Sequence, residues 1–432
     1  MRILQVAPAD GGGGAEDVAR RLHDGYRAAG HEAVLLVGRV TAGGEGVAGI
    51  RQGGGVWRLV ERLERGRRWR PARAARFVAA PRSFVDWAAG REIFRYPGTR
   101  RGVLPAAVRA DVVQLHNLHG AYFDLRELPN LAARARVVLT PHDMWLATGH
   151  CAHTFDCEGW TGDCRPCPYL GTYPALRRDG AAANLRRKAA LYAGSPVRLA
   201  APCRWLLDRL ARSVIAPALV ETRVIPNGID LTTFSPGSRE KARSALGLPA
   251  DAPVVVFAGR AARSSPWRDF GLFVEAVSRS GAIGLVVGGE GGDADAGRGR
   301  LRFLGDVSAG RFASVLRAAD LCVHPARADT FPTTVLESLA CGTPVVATPV
   351  GGIPEQVRDG ETGMLAAPAD LPAAVVRLLA DGELRARLGE RAAADALRRF
   401  DVRDQVAAYL DWFAAFPDDS STLGACRPSP AG

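Results

Sequence analysis

The chain has 432 residues, 47% of them hydrophobic and 23% charged, with a formal net charge of +11. At roughly 100–200 residues per domain this predicts two to three domains with sizeable cores. The longest apolar stretches fall short of the roughly 18–20 residues of a membrane span, which excludes an integral helical membrane protein.

The N-terminus "MRILQVAPADGGGG" carries one Arg and then reads as a strand and a Gly-rich loop, not a signal peptide, so a cytoplasmic protein is expected. "EDVARRLHDGYRAAGHE" follows with apolar residues at Val18, Leu22, Tyr26 and Ala29, the spacing of a helix, and "AVLLVG" is the next strand. Residues 51–110 then hold 15 Arg against four acids, a net +11 equal to that of the whole chain. Trp57, Trp69 and Phe77 are interleaved with these arginines. Three readings fit, in this order: a solvated helical region of an Arg-rich chain with only two lysines, a surface for anionic lipid head groups, and nucleic acid. No recognised nucleic-acid motif accompanies the charge.

"ADVVQLHN" and "ARVVLTPHD" hold short continuous apolar runs of the kind found in parallel sheets covered on both faces, and "PVRLAAPCRWLLDRLARSVI" reads as a further strand and helix. "VETRVIPNGID" adds a strand and turn, and "LTTFSPGSREKARSALGLPADAP" reads as a connector. The alternation restarts at "PVVVFAGR" and runs through "DFGLFVEAVSRS", "IGLVVGGE", "LRFLGDV", "AGRFASVLRAAD", "LCVHPA" and "PVVAT". A long helical stretch closes the chain, with a tail expected to be mobile. Two runs of strand and helix imply an α/β chain of two Rossmann-like domains whose ligands bind at the carboxyl ends of the strands, in a cleft where two such domains face each other. The expected boundaries are 1–232, with an Arg-rich insertion and a Cys-rich loop at 151–167, then 233–400, a terminal helix at 401–416 returning to the first domain, and the tail at 417–432.

"RADTFPTTVLESLACGTPVV" holds the main chemical signal. Pro332 suits a first helical turn, and Phe331, Thr333, Thr334 and Val335 stand where helix amides without internal partners would meet a phosphate. A carboxylate one turn on, at Glu337, suits hydroxyls such as those of a ribose, and Asp329 precedes the helix. On spacing alone a nucleotide-sugar site competes with a capping Asp and a surface Glu.

This region resembles the signature of retaining glycosyltransferases of family 4, a fold B group with two Rossmann-like domains, and the "GHC…C…C…CP" segment at 149–168 is similar to one in its exopolysaccharide and colanic-acid type branch. The family's Glu, seven residues, Glu is here Asp329 and Glu337, followed by "CGTPVVATPVGGIPE". The resemblance implies that Glu337 holds the ribose and Asp329 meets the transferred sugar. It places Arg260 ("VVVFAGR") on the donor phosphates, with Arg268 where a Lys is usual, and the backbone at Leu304 and Gly305 on the base. Gly13 and Gly14 in the N-terminal loop would let backbone approach the donor or acceptor, and "VIPNGID" (Asn227, Gly228, Asp230) would be the interdomain turn. His142 would lie at the sugar, with His116 and His119 as further candidates. Asp329, His142, Arg260 and Arg268 are therefore the expected catalytic set, and no catalytic metal is implied.

"CAHTFDCEGWTGDCRPCP" packs Cys151, Cys157, Cys164 and Cys167 into 17 residues. Structural zinc on the four thiolates, with His153 as a substitute ligand, competes with disulfides and with plain thiols. The implied activity is transfer of a sugar from a nucleoside-diphosphate sugar to a hydroxyl, in polysaccharide or lipid-linked glycan assembly. A small-molecule acceptor, or a nucleotide-sugar-binding protein without turnover, is the alternative. Nucleotide-sugar 2-epimerases share the architecture but lack the acid-helix phrase.

Overall fold

The structure, a computed structural model, describes residues 1–65, 69–289 and 300–417. The tail from 418 on, Arg67, Arg68 and the side chain of Trp69 lie outside the described residues. The chain divides into two compact units: 1–202 with 206–225 and 406–417, and 203–205 with 226–405.

The first unit is built on a seven-stranded sheet in the order β3-β2-β1-β4-β5-β6-β7. Its strands are β1 (Arg2–Ala9), β2 (Glu32–Arg39), β3 (Val47–Gly49), β4 (Val112–His116), β5 (Val137–Thr140), β6 (Val197–Ala201) and β7 (Leu219–Val224). The second unit carries six strands in the order β10-β9-β8-β11-β12-β13. These are β8 (Val254–Ala258), β9 (Ile283–Val287), β10 (Leu301–Gly305), β11 (Leu321–His324), β12 (Val345–Ala347) and β13 (Gly363–Leu365). Every pairing between these strands is parallel. β4, β5, β8 and β11 are buried at every residue, which is why they read as unbroken apolar runs rather than alternating ones.

In each sheet the strand order reverses once, between β1 and β4 and between β8 and β11. Crevices form at such points, at the carboxyl ends of the strands. The expected strands are all present; β3 and β13, at three residues each, carry too little pattern to be seen. The connector contains a helix, Arg239–Ala245, capped by Ser238 accepting from the amide of Lys241. The long helical stretch breaks at Asp381, which caps Gly382–Arg399 through the amide of Leu384. The helix Val402–Ala414 packs in the first unit, where the Trp412 indole donates to Glu221 of β7 at 2.6 Å. Among the described residues no helix is long and apolar enough to cross a membrane.

Candidate functional site

In the first unit the chemistry gathers where β1, β4 and β5 end. The Gly-rich loop leaves β1 through Asp10, whose carboxylate accepts from the amides of Thr41, Ala42 and Gly43 and from the Thr41 hydroxyl. Gly13 is the N-cap of the helix Gly14–Ala28 in extended backbone, and Gly14 opens that helix. The left-handed conformation falls on Gly12, at φ 90°, a residue outside the expected pair.

β4 ends on His116, and His142 follows β5 by two residues. His116 Nδ1 lies 3.2 Å from His142 Nε2, with the ring planes nearly parallel at 8°. The amide of His142 donates to Asn117 Oδ1 at 2.9 Å, and Asn117 Nδ2 donates to Asp143 Oδ2 at 3.0 Å. His119 Nε2 stands 2.7 Å from the same Asp143 oxygen. So the three candidate histidines meet in one cluster, with Asp143 an added member. Burial pushes His116 well below the usual imidazole range, helped by His142. Burial also pushes His142 down to about 4, against the opposing charge of Asp143. Burial alone would raise Asp143, but His119 beside it holds the carboxyl below its ordinary value.

In the second unit Asp329 stands on the loop after β11. Its Oδ2 lies 3.2 Å from Arg268 Nη2 and 3.3 Å from Nε2 of the buried His324. The Arg268 guanidinium lies against Gly259 so closely that a Cβ there would sit 1.6 Å from Nη1. Gly351, at φ 59°, passes under Asp329; a Cβ there would meet the Asp329 carbonyl at 1.7 Å. Gly259, Gly288 and Gly305 close β8, β9 and β10, and a Cβ on Gly288 would meet the Gly259 carbonyl at 2.3 Å. Arg260 is exposed at the end of β8, and Leu304 precedes Gly305 in β10.

The helix Thr333–Ala340 begins one residue later than expected: Pro332 is its N-cap, not its first turn. The amides of Thr333 and Thr334 have no partner among the described residues, but that of Val335 turns back to the Pro332 carbonyl at 3.2 Å and is spent. Phe331 is buried edge-on to Phe400, so its side chain serves the core. Asp329 does not cap the helix, and Glu337, 7% exposed, is not a solvated surface acid. Gly342 takes the left-handed position after the helix end, at φ 74°.

Residues 12–233, just over half the chain, match the family described as Glycosyltransferase Family 4. The chain belongs to this family. Residues 252–381 match Glycosyl transferases group 1. D-inositol 3-phosphate glycosyltransferase of Actinosynnema mirum is 41% identical over 166 residues, 33% of this chain and 39% of that protein. The protein of the same name from Mycobacterium bovis is 38% identical over 177 residues, 37% of this chain and 36% of its own. The chain thus matches less than two fifths of the length of these curated relatives. Sucrose-phosphate synthase from Thermosynechococcus elongatus has the same fold, with a TM-score of 0.65 at 21% identity over 96% of this chain and all of that one. Anabaena HepE, solved with UDP, gives 0.65 at 19% identity over the same shares.

The cysteine loop of this family 4 chain brings Cys151, Cys157, Cys164 and Cys167 onto one small cavity. His150, not His153, is the histidine there, with Nε2 3.2 Å from Cys167 Sγ. Burial pushes Cys151 up to about 12 and raises Cys164 and Cys167. Among the described residues no group of three or more His, Cys, Asp or Glu side chains is arranged to hold a metal ion. All four cysteines are free thiols in this arrangement. A different anchor fixes this loop beside His142. Buried Lys188 donates to the carbonyls of Trp145 and Thr148 and lies 3.0 Å from Glu92. Its one hint in the sequence is that it is one of two lysines. His324 gave no hint, being a single histidine in an apolar strand.

Proposed function

We propose that this glycosyltransferase moves a sugar, with retention of anomeric configuration, from a nucleoside-diphosphate sugar to a hydroxyl acceptor. One observation carries the reading: a helix opening with two unpartnered threonine amides stands between a buried Glu337 and an Asp329 held by Arg268 and His324. Unpartnered amides and the helix dipole favour a diphosphate, and carboxylates on either side favour hydroxyls. Arginine and helix amides would stabilise the departing diphosphate. Structures of the same fold are described with UDP and UDP-glucose, which makes a uridine donor the first to test. Relatives named for D-inositol 3-phosphate put a small polyhydroxylated acceptor first, ahead of the polysaccharide or lipid-linked glycan that the sequence suggests.

The deciding experiment incubates the protein with a panel of nucleotide sugars, with and without polyol phosphates, and measures nucleotide release. Turnover of at least one donor is expected, and Glu337→Ala should abolish it while the protein stays folded. A donor that binds without turnover under all conditions, or full activity in the variant, overturns the reading. The Arg-rich segment adds peripheral contact with anionic lipid. Val78, Phe84 and Val85 are exposed beside its arginines, the pattern of an interfacial surface. Flotation with anionic but not neutral vesicles is the expected result.

A further inference from the structure

The histidine pair at the ends of β4 and β5 is the outer end of a buried polar chain whose inner end decides where its protons sit. Gln5 of β1 and Gln114 of β4 are opposite each other in the parallel register and fully buried. Gln5 Nε2 lies 3.3 Å from the carbonyl of Ala19, 3.3 Å from Gln114 Oε1 and 3.3 Å from His116 Nε2. A backbone carbonyl can only accept a hydrogen bond, so the Gln5 atom facing Ala19 is the NH₂ and not the oxygen. An amide nitrogen has no lone pair to offer. The two protons of the NH₂ are shared among three acceptors, and a proton on His116 Nε2 would face an NH₂ that cannot accept it, so His116 Nε2 is the bare atom. A neutral imidazole with Nε2 bare carries its proton on Nδ1.

That proton has one partner, His142 Nε2 at 3.2 Å. The His142 Nε2 lone pair is then occupied, and the His142 proton sits on Nδ1. Nδ1 is buried and has no hydrogen-bond partner among the described residues. A buried polar atom left without a partner is costly to the protein alone and calls for an explanation, of which a bound ligand or an ordered water is one. The burial that keeps both rings neutral agrees with this pattern.

We infer that Gln5, through His116, fixes His142 as the neutral Nδ1–H tautomer, making it a hydrogen-bond donor to a sugar oxygen and not a base. Gln5 and His116 are positioning residues. The inference rests on the reading of His142 as a residue at the transferred sugar. It has a mechanistic consequence. With its Nε2 lone pair occupied, His142 has no site to receive the acceptor's proton, which must leave by another group.

The test uses full-length protein labelled with ¹⁵N histidine, at pH 7, with long-range ¹H–¹⁵N spectra assigned by comparison with His142→Ala. The expected result is one His142 tautomer, protonated on Nδ1 and bare on Nε2. A proton on Nε2, or on both nitrogens, overturns the inference in the wild-type protein, with no variant needed to fold. Gln5→Met keeps the buried volume and removes the donor. It should give a mixture of His142 tautomers and lower kcat/KM at least ten-fold; a folded variant with the single tautomer intact also overturns the relay. If the tautomer is as stated but His142→Ala keeps wild-type kcat/KM, the relay stands and the placement of His142 at the sugar fails.

Discussion

Asp329 and Arg268, which stand where the motif the sequence resembles has Glu and Lys, touch each other. The shorter acid is met by a longer base with a planar fork, braced against a glycine that leaves room for it. Side chains in contact do not contribute independently. Asp329→Glu and Arg268→Lys should each lower kcat/KM about ten-fold, while the double change should fall well short of the product of the two. A double variant that loses the full product would show two unconnected sites. Neither the contact nor the part of His324 was legible in the sequence. Arg268 and Asp329 are 61 positions apart, and only the adjacency of β8 and β11 brings their loops together.

The turn after β12 and the helix Thr333–Ala340 show how backbone shapes a site. Gly351 adopts φ 59° and presses on the Asp329 carbonyl, so any side chain there is excluded twice, by conformation and by contact. Gly351→Ala should cost about 1–3 kcal/mol of stability and displace Asp329, seen as a lower unfolding temperature and reduced turnover. Unchanged values of both would show that the loop yields freely. The helix itself was largely legible, because apolar spacing and a following glycine define it. Its start was misplaced by one residue, since a proline fits both the N-cap and the first turn and only the backbone angle at Pro332 decides.

At the scale of the molecule, buried neutral histidines couple folding to pH. His116 and His142 are held below their ordinary value of 6.5, His142 at about 4. His23, His150 and His324 are shifted the same way by burial. A depressed folded value means that the unfolded chain binds protons first as the pH falls. The stability is therefore complete above about pH 6.5 and is lost on the way down to about 4, with His142 worth on the order of 3 kcal/mol. Denaturant unfolding at pH 7.5 and 4.5 should show a clear drop in midpoint at the lower pH. Equal midpoints would mean that these histidines are solvated in the native state.

The sequence by itself determined the class of fold and the two-unit plan. Continuous apolar strands between amphipathic helices have few solutions other than covered parallel sheets, and that pattern is local. It also determined the spacing of Asp329 and Glu337, because one helix and its entry loop carry both. Only the tertiary structure decided what each group touches: Arg268 on Asp329, His150 rather than His153 beside the thiols, Lys188 under the cysteine loop, Gln5 behind His116. These contacts cross between strands and loops far apart in the chain, and the register of neighbouring strands, not local spacing, sets them. The direction of a proton along Gln5, His116 and His142 is likewise set by an obligate acceptor, the Ala19 carbonyl, that a helix packed on β1 supplies.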